Sequence, residues 1–402
     1  MKIKVLYFHV TGDLYGSSRS LLSLIKGLEK DKYEAMVILP EEGELVRELE
    51  MLGAKVFIRQ DLLILRRQTF VNLLSLLRFV SHFFLAIPKL YKLVKQEKVS
   101  LIHSNSAIIM SGAIAAKLLK VPHIWHMREV FDDFPKLLWG IYRYLIFHLS
   151  TRIICISTDV SKRFGQYRKH RKLVTIFNGI EEDYIDQVSE RMNRAEMRKK
   201  LCIPLDAVVI GNVARISTWK GQDLLIKSFA ACQKPPNTYL ILAGDCFPGN
   251  EYVLEGLKRL VKELHIEDRV IFAGFIKDSR NIYVALDIFV LASTTPEPFG
   301  RVLIEAMYCG LPSIATNWGG PVDIITSGKD GLLVNANEVA MSQGLERLLT
   351  DSSERKRLGI HATETIRNQF LVQHTVNKIK LEYANLLVKN DANPEKRQIF
   401  VS

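Results

Sequence analysis

What this chain lacks narrows it first. Its five cysteines (155, 202, 232, 246 and 309) are few, odd in number and widely separated, with no C-x-x-C pair. That spacing argues against a disulfide framework or a zinc site and predicts small core residues in a reducing compartment. No stretch approaches about 18 uncharged apolar residues, so no spanning helix is expected. The opening residues MKIKVLYFHV enter a strand pattern directly, without a signal-peptide signature. Low-complexity tracts are missing too. There is no G-x-G-x-x-G after the first strand, and no acid at the distance that would hold a ribose, which disfavours a dinucleotide site. No His/Asp pair has ligand spacing and there is no D-x-D run, so no metal is expected. The predicted location is the cytosol, free or on the cytosolic face of a membrane.

What is present is an ordinary globular composition, 48% hydrophobic and 24% charged over 402 residues, long enough for two or three domains. The formal charge of +12 is unevenly spread. Residues 1–180 carry 28 Lys and Arg against 15 Asp and Glu, and residues 181–402 carry 27 against 28. An excess confined to one half suggests that this half meets an anionic surface, membrane or nucleic acid.

Apolar runs such as IKVLYFHV, EAMVILP and VSLIHSNS alternate with amphipathic stretches of 10–15 residues. This alternation predicts an α/β chain built on doubly wound parallel sheets. Residues 181–204 are polar and helical in tendency, a bridge before a second βα series that begins at AVVIGNVAR and closes in a long helical segment over 361–388. A polar tail from Lys389 is expected to be disordered. Residues 59–98 hold eight Lys and Arg against two acids, interleaved with Leu, Phe and Ile. The pattern fits a helix lying in an anionic membrane interface, and equally a helix packed on the sheet with a solvated basic side.

Four constellations carry chemistry. In TGDLYGSSRS, Gly12 and Gly16 bend the chain so that amides near Gly16 can approach an anion at the next helix's N-terminus. In GNVARISTWKGQDLL, Arg215 and Lys220 share a βα loop and can converge on a pyrophosphate, or form a solvated pair. In STTPEPFGRVLIEAMYCGLP a strand, a turn and a helix beginning after Gly300 make an anion site flanked by Glu297 and Glu305. Glu305 lies roughly 7.5 Å along the helix from Gly300, a reach suited to sugar hydroxyls. The other reading is a surface acid and an ordinary helix glutamate. His103 and His126 end strands of the first half, and the H-x-R-E cluster formed with Arg128 and Glu129 is seldom core.

Taken together these residues resemble the GT-B glycosyltransferases, specifically the retaining enzymes of glycosyltransferase family four. The most specific part is EPFGRVLIE, which matches the family's E-x7-E signature at Glu297 and Glu305. It is joined by Arg215 with Lys220 and Gly221, AGD at 243–245, NGI at 178–180 and TTP before the first glutamate. The resemblance implies two Rossmann-like domains facing a central cleft. These are an acceptor-binding domain over 1–185 and a nucleotide-sugar domain over 186–365, followed by a helix over 366–388 that crosses back before the tail at 389–402. It implies donor pyrophosphate on Arg215 and Lys220, amides of Phe299 and Gly300 on phosphate, ribose on Glu305 and sugar hydroxyls on Glu297. It further implies nucleobase contact near Phe275 and Ile276, phosphate closure by Gly16, and His126 near the donor sugar and acceptor. Transfer would retain anomeric configuration without a metal and without a cofactor beyond a UDP- or GDP-type sugar as substrate. The acceptor would be a lipid-linked or polysaccharide molecule of cell-envelope or surface biosynthesis. Two features depart from the family: Gly-Ser-Ser at 16–18 where many relatives pair glycines, and a last segment lacking a tryptophan near its start.

Two alternatives stay in view. A GT-B nucleotide-sugar epimerase would need no acceptor and should lack E-x7-E. A nucleic-acid binder would explain the basic half, but no recognised motif is present and the basic residues alternate with Leu and Phe rather than stacking aromatics, so no nucleic-acid partner is expected.

Overall fold

Apolar β-branched runs bounded by glycine and polar residues become buried strands here, and the helices between them cover both faces of two parallel sheets. The structure is a computed structural model that describes residues 2–62, 64–65, 73–131, 134–184, 193–276 and 278–390. It divides into two compact units, residues 1–179 with 372–402, and residues 180–371.

The first unit runs β1 (Ile3–Phe8), α1 (Gly16–Lys26), β2 (Tyr33–Leu39), α2 (Glu44–Met51), β3 (Lys55–Ile58), α3 (Leu73–Glu97), β4 (Leu101–Ser104), α4 (Ser111–Leu119), β5 (His123–Met127), α5 (Lys136–Leu149), β6 (Arg152–Cys155), α6 (Thr158–Lys162) and β7 (Leu173–Thr175). Its sheet has the order β3-β2-β1-β4-β5-β6-β7, every pairing parallel. The order reverses between β1 and β4. That is the switch point where ligands gather outside the strands' carboxyl ends.

The second unit runs α7 (Arg194–Lys200), β8 (Val208–Val213), α8 (Gln222–Ala231), β9 (Thr238–Ala243), α9 (Glu251–Glu263), β10 (Val270–Gly274), α10 (Arg280–Tyr283), β11 (Ile288–Leu291), α11 (Arg301–Tyr308), β12 (Ser313–Thr316), α12 (Pro321–Ile324), β13 (Leu332–Val334), α13 (Glu338–Thr350) and α14 (Ser352–Gln369). Its sheet order is β10-β9-β8-β11-β12-β13, and the reversal falls between β8 and β11.

The last helix, α15 (Val372–Asn390), belongs to the first unit. Val376, Ile379, Tyr383 and Leu386 recur at helical spacing and join the core of β1, α1 and β2. Each such burial is worth about 1.5–3 kcal/mol before entropy. The stretch expected as one helix over 361–388 is therefore two, because Phe370 and Leu371 break it where the chain changes unit. The expected boundary at 365/366 falls inside α14, and the first two residues of the tail expected over 389–402 are the end of α15; 185/186 and the rest of that tail lie outside the described residues.

Three other expectations change. Residues 181–204 are no mere bridge: α7 is anchored by fully buried Arg198, which meets Asp287 at 2.8 Å and donates to the carbonyls of Ala285, Leu205 and Ala207. Only Cys155 and Cys232 are core residues; Cys202 is exposed, Cys246 and Cys309 half-buried, and all five are free thiols. Within 59–98, Ile87, Leu90 and Val94 on α3 are buried against Leu6, Phe8, Ile102 and Ala115, so this part of the helix packs on the sheet. Residues 63 and 66–72 of that stretch lie outside the described residues. No helix among the described residues is long and apolar enough to cross a membrane.

Candidate functional site

In the second unit the loops after β8 and β11 are locked backbone to backbone. Gly221 caps α8 with φ +69°, and a Cβ there would lie 1.9 Å from the Ala292 carbonyl oxygen just beyond β11. Only glycine both reaches that left-handed conformation and permits the approach. This contact delivers Lys220 to Glu297: Nζ and Oε2 are 2.7 Å apart, with side chains only 12% and 9% exposed. Ser293 Oγ donates to the same oxygen at 2.8 Å. Both of these bonds fall on Oε2, which leaves Oε1 as the acceptor for a hydroxyl. The turn carrying Glu297 is held by Gly320 N–H, which donates to the Glu297 carbonyl at 2.7 Å. A Cβ on Gly319 would strike that carbonyl at 2.3 Å. Arg215 stacks its guanidinium 3.4 Å from the centre of the Phe247 ring.

Glu305, expected to read hydroxyls, is buried and already held. Its Oε1 accepts from Arg301 Nε at 3.0 Å; its Oε2 accepts from Tyr283 at 3.0 Å and Ser279 at 3.4 Å. Burial and the Glu305 charge push the Tyr283 and Tyr184 hydroxyls well up, so both stay protonated. Phe299 is buried, Gly300 starts α11 with φ +98°, and no side chain caps that helix. Phe275 and Ile276 follow the bulged end of β10; Phe275 is exposed and Ile276 half-buried. Arg215 and Lys220 thus stand in the loop after β8, and Glu297, Phe299 and Gly300 in the loop after β11, with Glu305 inside the helix that follows.

The first unit gathers a second polar cluster at the carboxyl ends of β1, β4 and β5. Arg128 Nε donates to Asn105 Oδ1 at 2.9 Å, and Nη1 to Asn178 Oδ1 at 2.8 Å. Arginine cannot accept, so Asn105 turns its Nδ2 to His9 Nδ1 at 3.1 Å, and His9 Nε2–H donates to Ser18 Oγ at 3.0 Å. Burial and the Arg128 charge lower His9 to about 3. His126 stands beside His103, Nδ1 to Nε2 at 3.2 Å, and His103 Nδ1 meets the Tyr383 hydroxyl at 2.7 Å. Within the H-x-R-E group His126 and Arg128 are buried and Glu129 is half-buried, its carboxylate accepting from Ser106 and the amide of Ala107. Gly16 opens α1, and a Cβ there would meet nothing within 4 Å.

Sequence reasoning missed Tyr7, His9, Asn105 and Tyr383. A histidine and an asparagine at successive strand ends (FHV, HSNS) were available signals; Tyr383 had none, because it arrives from 280 residues away. Among the described residues no cluster of three potential metal ligands occurs.

Comparison with known proteins places this architecture. Residues 193–365 match the family model described as Glycosyl transferases group 1, and residues 15–184 that described as Glycosyltransferase Family 4. The structure of Anabaena HepE in complex with UDP and glucose is similar over 94% of this chain and 99% of that one, with a TM-score of 0.78 and 25% identity. The Escherichia coli UDP-Gal:alpha-D-GlcNAc-diphosphoundecaprenol alpha-1,3-galactosyltransferase is 25% identical, covering 96% of this chain and 98% of that protein. The lipopolysaccharide core biosynthesis glycosyltransferase LpsE of Rhizobium meliloti is 31% identical over 54% of this chain and 59% of its own length. The chain thus spans under two thirds of some relatives and nearly all of others. Two doubly wound parallel-sheet units of this kind define the GT-B class. Within that class, the chain belongs to glycosyltransferase family 4.

Proposed function

We propose that this protein transfers a sugar from a nucleoside-diphosphate sugar to a lipid-linked or saccharide acceptor in cell-envelope polysaccharide synthesis, with retention of anomeric configuration and without a metal. The observation that carries the reading is the Lys220–Glu297 pair at the switch point of β8 and β11, with Arg215 in the same loop as Lys220. Arg215 and Lys220 neutralise the charge that grows on the departing diphosphate. Amides of Phe299 and Gly300 add donors at the start of α11, where the helix dipole favours an anion. Glu297 Oε1 accepts a hydroxyl of the transferred sugar, and Glu305, steadied by Arg301 and Tyr283, accepts from the ribose. Residues 275–276 meet the base. In the first unit the reading assigns Gly16 to phosphate and His126 to the transferred sugar. The acceptor attacks on the face the diphosphate leaves, so no covalent carboxylate adduct is required.

UDP is the favoured base class, since HepE was crystallised with UDP and the E. coli relative is named for a UDP sugar. A thermal-shift screen over UDP-, GDP- and ADP-sugars tests this. At a hundredfold excess over Kd the ligand stabilises by about 2.7 kcal/mol. Absence of a shift with every nucleotide sugar defeats the reading.

An anionic membrane surface fits the first unit's charge. The exposed candidate is α5, where Leu137, Ile141 and Tyr144 stand on one face, 76%, 52% and 53% exposed. Lys117, Lys120 and Lys172 line a cavity of about 460 Å³ that also touches the end of α5 at His148 and Leu149.

A further inference from the structure

Tyr7, Tyr383, His103 and His126 form one buried file of hydrogen bonds whose direction follows from its two ends. The Tyr7 hydroxyl meets the Tyr383 hydroxyl at 3.0 Å, Tyr383 meets His103 Nδ1 at 2.7 Å, and His103 Nε2 meets His126 Nδ1 at 3.2 Å. Among the described residues, His126 Nε2 is buried with no partner and the Tyr7 hydroxyl has no other partner. Burial and the Arg128 charge hold both imidazoles neutral, so each member carries one proton to donate.

Only two arrangements satisfy every internal link. In the first, Tyr7 donates to Tyr383, Tyr383 to His103 Nδ1, and His103 Nε2–H to His126 Nδ1; a single group, the His126 Nε2–H, is left over. In the second every proton points the other way. That leaves two groups over, the Tyr7 hydroxyl hydrogen and the bare His126 Nε2. Each buried polar group without a partner costs of order a kcal/mol or more, so the first arrangement prevails by about tenfold.

We infer that Tyr383 and His103 are positioning residues that set the tautomer of His126 and present its Nε2–H as a donor to an acceptor oxygen of a hydroxyl-rich ligand. That the ligand is a sugar rests on the transferase reading; the tautomer does not. The last helix thereby has a part beyond covering the sheet, since it carries the hydroxyl that orients the imidazole file.

The test is nitrogen NMR of the full chain labelled with ¹⁵N-histidine and without ligand, comparing wild type, Tyr383→Phe and Tyr7→Phe. Wild type should show His126 protonated at Nε2. Tyr383→Phe leaves both directions with equal numbers of unpartnered groups, so His126 should become a near-even mixture, and turnover should fall by at least the corresponding twofold with donor KM unchanged. Tyr7→Phe keeps the Tyr383-to-His103 link and should retain the wild-type signal. A merely structural role would make the two tyrosine variants alike. The inference is overturned if wild-type His126 is protonated at Nδ1, or if both variants give the same His126 signal. Should the tautomer pattern hold while no UDP-, GDP- or ADP-sugar produces a thermal shift, the transferase reading fails and the file stands. A thermal shift without the tautomer pattern keeps the transferase reading and removes the file.

Discussion

Removing Lys220 tests the site most directly, because its ammonium and the Glu297 carboxylate are close and almost out of water. Lys220→Ala leaves Glu297 with Ser293 as its one remaining side-chain donor. Breaking a buried pair from one side costs about 3–5 kcal/mol, chiefly as an uncompensated charge. With both side chains retaining some exposure, the expectation is the lower end, about 3 kcal/mol. Glu297→Gln added to Lys220→Ala removes that charge, so the double variant should be more stable than Lys220→Ala by about 1–2 kcal/mol, a coupling read from a double-mutant cycle. Hydrogen exchange of the backbone over 293–305 measures it locally and avoids the two-state assumption for a chain of two units. Activity should behave differently. Both variants should lose transfer by about 10²-fold or more, since neither restores the charge that stabilises the departing diphosphate. A double variant as unstable as the sum of its parts, or a Lys220→Ala enzyme with normal turnover, would refute the reasoning.

Four further outcomes follow. Gly221→Ala should lose more than about 2 kcal/mol, from positive φ and the collision with Ala292, whereas Gly16→Ala should stay within about 0.5 kcal/mol in thermal denaturation. Glu305→Gln should raise the donor KM and shrink the nucleotide-induced thermal shift while the fold persists, because the Arg301 and Tyr283 bonds to it weaken together. Leu137→Glu with Ile141→Glu should abolish flotation with anionic liposomes and leave thermal stability unchanged; flotation equal to wild type would remove α5 from the membrane proposal. Acid should unfold the first unit before the second. His9 and His123 titrate near 3 when folded and near 6.5 when unfolded, and burial holds His103 and His126 low as well. Between those values the unfolded chain binds more protons, so stability falls as pH drops below about 6.5, by up to about 1.4 kcal/mol per pH unit for each histidine. Exchange protection over β4 and β5 should vanish at a higher pH than over β8 and β11, and simultaneous loss would refute the assignment.

Much of this protein was written locally. Apolar runs of strand length set between amphipathic stretches were enough to specify two parallel sheets, because strand and helix periodicities are properties of neighbouring residues. The two loops at the second sheet's switch point were legible for the same reason: Gly221 and Gly300 mark helix starts, and Glu297 and Glu305 flank one of them. Sequence order could not show who partners whom. Lys220 and Glu297 are 77 residues apart, and the reading that set one on phosphate and the other on a sugar did not foresee their pairing. A basic, apolar stretch at 59–98 reads alike for a membrane helix and a core helix; the burial of Ile87, Leu90 and Val94 showed that this part of it covers the sheet. His126 looked like a polar group at a strand end, but its tautomer depends on Tyr383, whose hydroxyl arrives on the last helix from across the chain. Periodicity alone determined the layers and the loops that end at the ligand edge. Only tertiary packing decided which buried donor meets which acceptor, because a hydrogen bond is satisfied in space and leaves no spacing in the chain.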